Sequence, residues 1–220
     1  MGNNNIINNL KDDKLVTEVL SDTKAALRDN QSILKEYNLE TGKIEVFIEV
    51  IQPPLSLIIC GAGYDVLPLV NFSKQLGWDV TVIDNRQREV SKRRFAQADK
   101  TLLSAPDEIL ENIEITERTA AVLMSHNYLD DLDMLKLLVP SKLKYLGILG
   151  PKKRPNRILD ELQAEKITPN ANIYSPVGLD IGADNAEEIA LSIVSEIQAV
   201  TSQRNAGFLK NRNAPIHVKE

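Results

Sequence analysis

Residues 57–65 read LIICGAGYD: four apolar residues, then Gly61, Ala62 and Gly63, with Tyr64 and Asp65 behind them. A short, continuous apolar run of this kind is the pattern of a strand buried on both faces. Gly61 permits a tight turn, and Gly63 leaves bare backbone for a ligand to approach. The free amides of a helix starting near Val66 add hydrogen bonds and the positive end of a dipole, which suits an anion. Asp84 follows 23 positions after Gly61, closing the stretch VTVID, where an acidic side chain would meet an adenosine ribose. Arg86, two residues on, could recruit a 2′-phosphate or be an ordinary exposed arginine. Val66 stands where the usual third glycine or alanine lets helix and strand pack closely. On spacing alone the turn is either a nucleotide cradle or a corner kept for the fold, and both readings stay open.

Outward from that turn the chain alternates strand and helix. Strands are expected at 57–60, 79–83, 101–103, 120–124 and 145–149, and helices at 66–76, 88–96, after Pro106, at 129–138 and at 156–166. A last helix is expected at 186–200, with Asp184 as its cap and Glu187 reaching back. Crossovers of this length predict an α/β fold, a Rossmann-like doubly wound parallel sheet covered on both faces. Upstream, Val19, Ala26 and Ile33 fall seven apart, as do Leu20, Leu27 and Leu34, which predicts one side of a helix. KIEVFIEV (43–50) then alternates Ile44, Val46, Ile48 and Val50 with other residues, predicting a half-buried strand that Pro53 and Pro54 stop. The domain expectation is therefore a short helix-plus-strand segment at 1–54, a Rossmann-like domain at 55–203 and a polar tail at 204–220.

Composition narrows the partners. The 220 residues are 43% hydrophobic and 26% charged with a net charge of -5, the balance of a globular protein rather than of a basic nucleic-acid binder. No apolar run approaches the roughly 20 residues of a membrane helix, so no membrane partner is expected. Cys60 is the one cysteine, which leaves no internal disulfide framework and makes the cytoplasm the expected compartment. Inside an apolar strand, its thiol is expected to be inert core.

Three further stretches carry candidates. SHNYLDD (125–131) places His126 after the fourth strand, with Asp130 and Asp131 one helical turn on, so His126 could move a proton or position a ligand. It is equally readable as incidental to a helix capped by Ser125 or Asn127. One histidine near aspartates is too sparse for a zinc site, and no metal is expected. LGPKKRPNR (149–157) follows Gly150 with Lys152, Lys153, Arg154 and Arg157 near a helix start, where positive side chains oppose the dipole unless an anion sits among them. The alternative is a solvated basic loop. SPVGLDIGAD (175–184) offers Gly178 and Gly182, whose amides could meet an anion or turn the chain.

Taken together, IEVFIEVIQPP, ICGAGYDVLPLVNFSKQLGWDVTVIDNR, MSHNYLDDLDML, YLGILGPKKR and SPVGLDIGADNAEEIALSIVSEI resemble the XdhC/CoxI family, over about residues 40–203. These are accessory proteins of molybdenum hydroxylases such as xanthine dehydrogenase. The resemblance implies a Rossmann domain that binds the molybdenum cofactor (molybdopterin) or a nucleotide such as NAD(P). It also implies a chaperone-like role in delivering the cofactor to a molybdenum hydroxylase apo-enzyme. Tyr64 stands where the family usually has histidine. Residues 1–54 hold no cysteine, so the sulfur chemistry of the family's upstream module does not carry over. Two other classes fit the same residues: an NAD(P)-dependent oxidoreductase in which His126 or Tyr64 handles a proton, and a ligand-free dimerisation or regulatory domain. In the noncatalytic cases the first helix, whose apolar stripe lacks a local mate in the sequence, is the expected homodimer surface.

Overall fold

The computed structural model describes residues 5–104, 106–150, 161, 165, 167 and 172–213. The chain divides into two compact units, Met1–Pro53 and Pro54–Glu220.

In the first unit, α1 (Asp13–Asp29) begins where the Asp12 carboxylate accepts the amide of Leu15 at 3.0 Å. It ends at Asn30, whose φ of +56° lies in the left-handed region and whose N–H turns back onto Ala26 and Leu27. The expected continuation of the helix through Ile33 and Leu34 is wrong. These residues open β1 (Ile33–Leu39), which pairs antiparallel with β2 (Gly42–Ile48) in a hairpin turning at Glu40 and Thr41. A left-handed asparagine stops an α-helix whatever spacing follows, and β-branched Ile33 and aromatic Tyr37 suit a sheet. The apolar stripe of α1 thus has the hairpin as a local mate. Asp22 fastens the two together, accepting from the Tyr37 hydroxyl and the Lys35 ammonium, each at 2.7 Å. Burial, helped by that bond to Asp22, pushes the Tyr37 pKa up to about 12.

The second unit holds a six-stranded parallel sheet made of β3 (Ser56–Cys60), β4 (Asp79–Ile83), β5 (Lys100–Leu102), β6 (Thr119–Leu123), β7 (Tyr145–Ile148) and β8 (Asn172–Tyr174), in the order β5-β4-β3-β6-β7-β8. Its helices are α2 (Val66–Gln75), α3 (Val90–Arg94), α4 (Pro106–Asn112), α5 (Tyr128–Leu138) and α6 (Ala186–Thr201). This is the Rossmann-like doubly wound sheet that the sequence predicts. β8 is the addition: three residues are too few to show a period. Most of the helix expected at 156–166 lies outside the described residues.

Alternation along β3 explains how both faces are covered. Leu57 and Ile59 join one apolar cluster with Val66 and Leu69 of α2 and Ile193 and Ile197 of α6, whereas Ile58 and Cys60 join a second with Leu132, Leu135 and Leu138 of α5. Each such side chain, fully buried, contributes about 1.5–3 kcal/mol. Removal from water, and then the charge of Asp131, push the Cys60 thiol far above its ordinary pKa. The cap of α6 sits one residue later than expected. Asn185 accepts from the Glu188 amide at 2.9 Å, and the Glu188 carboxylate takes the amides of Asp184 (2.8 Å) and Asn185 (3.4 Å). Among the described residues no helix is long and apolar enough to cross a membrane.

Candidate functional site

β3 and β6 lie side by side, yet the helices that follow them pack on opposite faces, α2 in the first cluster and α5 in the second. Their connecting loops must therefore diverge, which opens a crevice at the carboxyl edge of the sheet. The resulting cleft encloses about 460 Å³, its mouth included, and is lined by the turn 61–63, by 84–86 and Arg88 after β4, and by Ser125 and His126 after β6.

The two glycines of the turn have different causes. Gly61 has a φ of +140°, and a Cβ there would collide with the Met124 carbonyl at the end of β6. The packing of β3 against β6 demands it. Gly63 has no such neighbour: a Cβ there would meet only the carboxylate of Asp65, the mobile end of a side chain. Its bareness leaves backbone open to the cleft.

Asp65 stands at the N-terminus of α2 but makes no side-chain cap bond to it. Its carboxylate pairs with His126 Nε2 at 2.8 Å, joining the β3–α2 and β6–α5 loops across the cleft. His126 reaches there from a left-handed backbone, φ +58°. Tyr64 is 73% exposed, and the Arg94 guanidinium lies over its ring, 4.1 Å from the centroid. Arg94 Nη1 also donates to the Ala62 carbonyl at 2.6 Å, so α3 braces the glycine turn.

Asp84 is 1% exposed, and its carboxylate is fully engaged. Oδ1 accepts from the Arg86 amide (3.2 Å) and Arg88 Nη2 (3.3 Å), and Oδ2 from Arg88 Nε (3.0 Å) and the Ser91 hydroxyl (2.5 Å). Burial alone would raise its pKa. The Arg88 and Ser91 hydrogen bonds, with the Arg88 charge, outweigh that and hold it below the usual carboxylate value. Arg86 is more loosely placed, its Nη2 3.9 Å from Asp130 Oδ2. Behind His126, Asn127 caps α5 by accepting from the Leu129 amide at 3.0 Å. Buried Asp131 takes the Ser125 hydroxyl at 2.5 Å and its amide at 3.3 Å.

The cleft thus brings together Gly61, Gly63, Asp84, Arg86 and His126, with Asp65 bonded to His126 and Tyr64 one residue from Gly63. Gly150 follows β7 with φ +132°, and Lys152, Lys153, Arg154 and Arg157 lie outside the described residues. Gly178 and Gly182 sit in the β8–α6 loop and do not line the cleft. The amide of Gly178 goes to Glu196 Oε2 at 3.0 Å, which also accepts the Tyr145 hydroxyl at 2.5 Å. Sequence reasoning passed over Arg88, Asn85 and Arg94, and took Ser125 only as a possible helix cap. Arg88 was within reach, since it stands four residues after Asp84, the reach of a single turn. Among the described residues no group of three or more His, Cys, Asp or Glu could hold a metal ion.

Open backbone, an amide side chain and two guanidinium groups around one crevice form a donor set suited to phosphate oxygens. A family model described as the XdhC Rossmann domain matches residues 57–197. A probable xanthine dehydrogenase subunit of Bacillus subtilis (strain 168) is 37% identical over 152 residues, covering 69% of this chain and 44% of that protein. The uncharacterized protein YqeB of Escherichia coli (strain K12) is 26% identical over 178 residues, 79% of this chain and 32% of that one. The chain therefore spans less than half the length of these curated relatives. A crystal structure of a xanthine dehydrogenase from Bacillus halodurans aligns with a TM-score of 0.63 at 26% identity, over 84% of this chain and 67% of the other. The family match runs from within β3 into α6, across the whole parallel sheet and the cleft at its edge, and through this Rossmann domain the chain belongs to the XdhC family.

Proposed function

We propose that this chain is an accessory protein of a molybdenum hydroxylase such as xanthine dehydrogenase, which binds a phosphate-bearing cofactor in the β3–β6 cleft and assists the maturation of the apo-enzyme. The observation that carries this reading is Gly63. No backbone packing requires a glycine there: a Cβ would meet only the carboxylate of Asp65, the end of a side chain that can shift, and would crowd the bare backbone of the turn. In this reading the backbone of 61–63 receives phosphate oxygens, and Asn85, Arg86 and Arg88 donate to them. The His126–Asp65 pair joins the two loops beside that turn. Either the molybdenum cofactor or NAD(P) supplies the redox chemistry when bound, while the chain binds and orients without transforming it.

Calorimetric titration of the purified chain with NAD, NADP and molybdenum cofactor tests this. Saturable binding that Gly63→Val abolishes, together with activation of an apo-hydroxylase by the loaded chain, is the expected result. Binding unchanged in Gly63→Val refutes the cradle. Supply of cofactor to the apo-enzyme at the same rate without the chain refutes the accessory role.

The His126–Asp65 bond favours a second reading, an NAD(P)-dependent oxidoreductase in which His126 moves a proton. Turnover of an alcohol or aldehyde that His126→Gln removes would select it over the first.

A further inference from the structure

A carboxylate that reads a ribose accepts hydrogen bonds from the two hydroxyls of the diol, and a carboxylate has about four lone-pair positions to offer. At Asp84 every one of them is taken by the protein itself: the Arg86 amide and Arg88 Nη2 on one oxygen, Arg88 Nε and the Ser91 hydroxyl on the other. At 1% exposed, the group cannot take a diol without giving up a bond to Arg88 or Ser91. Among the described residues, the groups at this end of the cleft that do reach solvent carry donors. The Arg88 side chain is 40% exposed and held in place by Asp84, and that of Arg86 is 53% exposed. Asn85 lines the same wall. Among the described acidic groups, Asp84 is neutralised by Arg88, and Arg86 is paired only loosely with Asp130, at 3.9 Å, beyond hydrogen-bond distance, so a dianion can compete for it.

We infer that the Asp84 end of the cleft selects a phosphomonoester, clasped by Arg86 and Arg88, over a free ribose diol. Asp84 is then a positioning residue, holding Arg88 by Nε and Nη2 so that the Nη1 edge is left for the dianion, and not the ribose ligand its place in the sequence suggests. The inference rests on the reading that this cleft binds a phosphate-bearing cofactor. The monoester has two sources: the 2′-phosphate of a dinucleotide, or the terminal phosphate of a pterin cofactor.

Two matched pairs of probes test it by calorimetry on the full chain: NADP against NAD, and a pterin cofactor ending in a monophosphate against the same pterin capped as a dinucleotide. The monoester member of at least one pair binds about tenfold tighter or more, the worth of one charge-assisted contact. The pair that shows the preference identifies the source. Arg86→Ala, at an exposed position, cuts the preference several-fold, weakening the monoester more than its partner ligand. Arg88→Lys, which keeps a charge near Asp84 but loses the planar fork, narrows it further. Equal binding within both pairs overturns the inference and leaves the cofactor-binding reading standing. A preference for the monoester that survives the double variant overturns the assignment to these arginines. No binding of any of the four probes overturns the underlying reading and the inference with it.

Discussion

Alanine at Gly61 and at Gly63 should give opposite outcomes, although the two residues sit two apart in one turn. At Gly61, φ +140° is a conformation that side chains avoid, and holding alanine there costs about 1–3 kcal/mol. The added methyl also overlaps the Met124 carbonyl, so the ends of β3 and β6 must separate, at about 1–3 kcal/mol more. The combined loss, around 4 kcal/mol, lowers the melting temperature of the sheet unit by roughly 8–16 °C for a domain of this size. At Gly63 the methyl displaces only the Asp65 carboxylate, whose bond to a 61% exposed His126 is worth about 0–1 kcal/mol. Gly63→Ala therefore melts within about 2–4 °C of the parent but loses affinity for NADP or molybdenum cofactor. Circular dichroism melts beside calorimetric titration separate the two. A Gly61→Ala protein that melts with the parent, or a Gly63→Ala protein that keeps full affinity, would refute the division of roles.

Three more outcomes follow from buried groups. Cys60, 2% exposed with its thiol pKa driven up chiefly by burial, should react with a disulfide reagent only at the rate of unfolding, and reaction of the native protein within minutes would contradict its placement. Asp84 has a folded pKa below its unfolded one, so its stabilisation is present above about pH 4 and is lost as pH falls through the folded value. Asp84→Asn should cost about 1–3 kcal/mol at neutral pH and flatten the acid limb of a urea stability profile, and an unchanged limb would count against the pairing with Arg88. Tyr37 behaves in the opposite sense. Its folded pKa is raised to about 12, so its contribution is complete below about pH 10 and fades between 10 and 12, where Tyr37→Phe should show no such loss in pH-jump fluorescence or circular dichroism.

The sheet was legible because β3, β6 and β7 are short, mostly apolar runs separated by helix-length segments, and covering both faces leaves little choice of architecture. Of the hairpin only β2, predicted at 43–50, was legible; β1 was not, because Ile33 and Leu34 happen to prolong the seven-residue spacing of α1, and only the left-handed backbone of Asn30, which no periodicity reports, separates helix from strand. The site was half legible. Spacing placed Gly61, Gly63 and Asp84 at one edge, but it could not tell that Gly61 answers to the Met124 backbone while Gly63 answers only to the Asp65 side chain. Nor could it tell that Asp84 is occupied by Arg88 and Ser91. Those distinctions depend on which atoms meet across strands, and one-dimensional order does not carry them.

The backbone twist at His126 has a bearing on how this lineage can change. Positive φ favours asparagine, aspartate and histidine over most other side chains, although Gln87, Gln203 and Ala206 also adopt it here, so some substitutions at 126 are easier than others. Exchange of the imidazole for an amide or a carboxylate would retain the loop's path and reverse or erase the attraction to Asp65. A branched aliphatic would break the path itself. Descendants of this protein can thus retune the link between these two loops by a single nucleotide-scale step while the scaffold beneath it stays put.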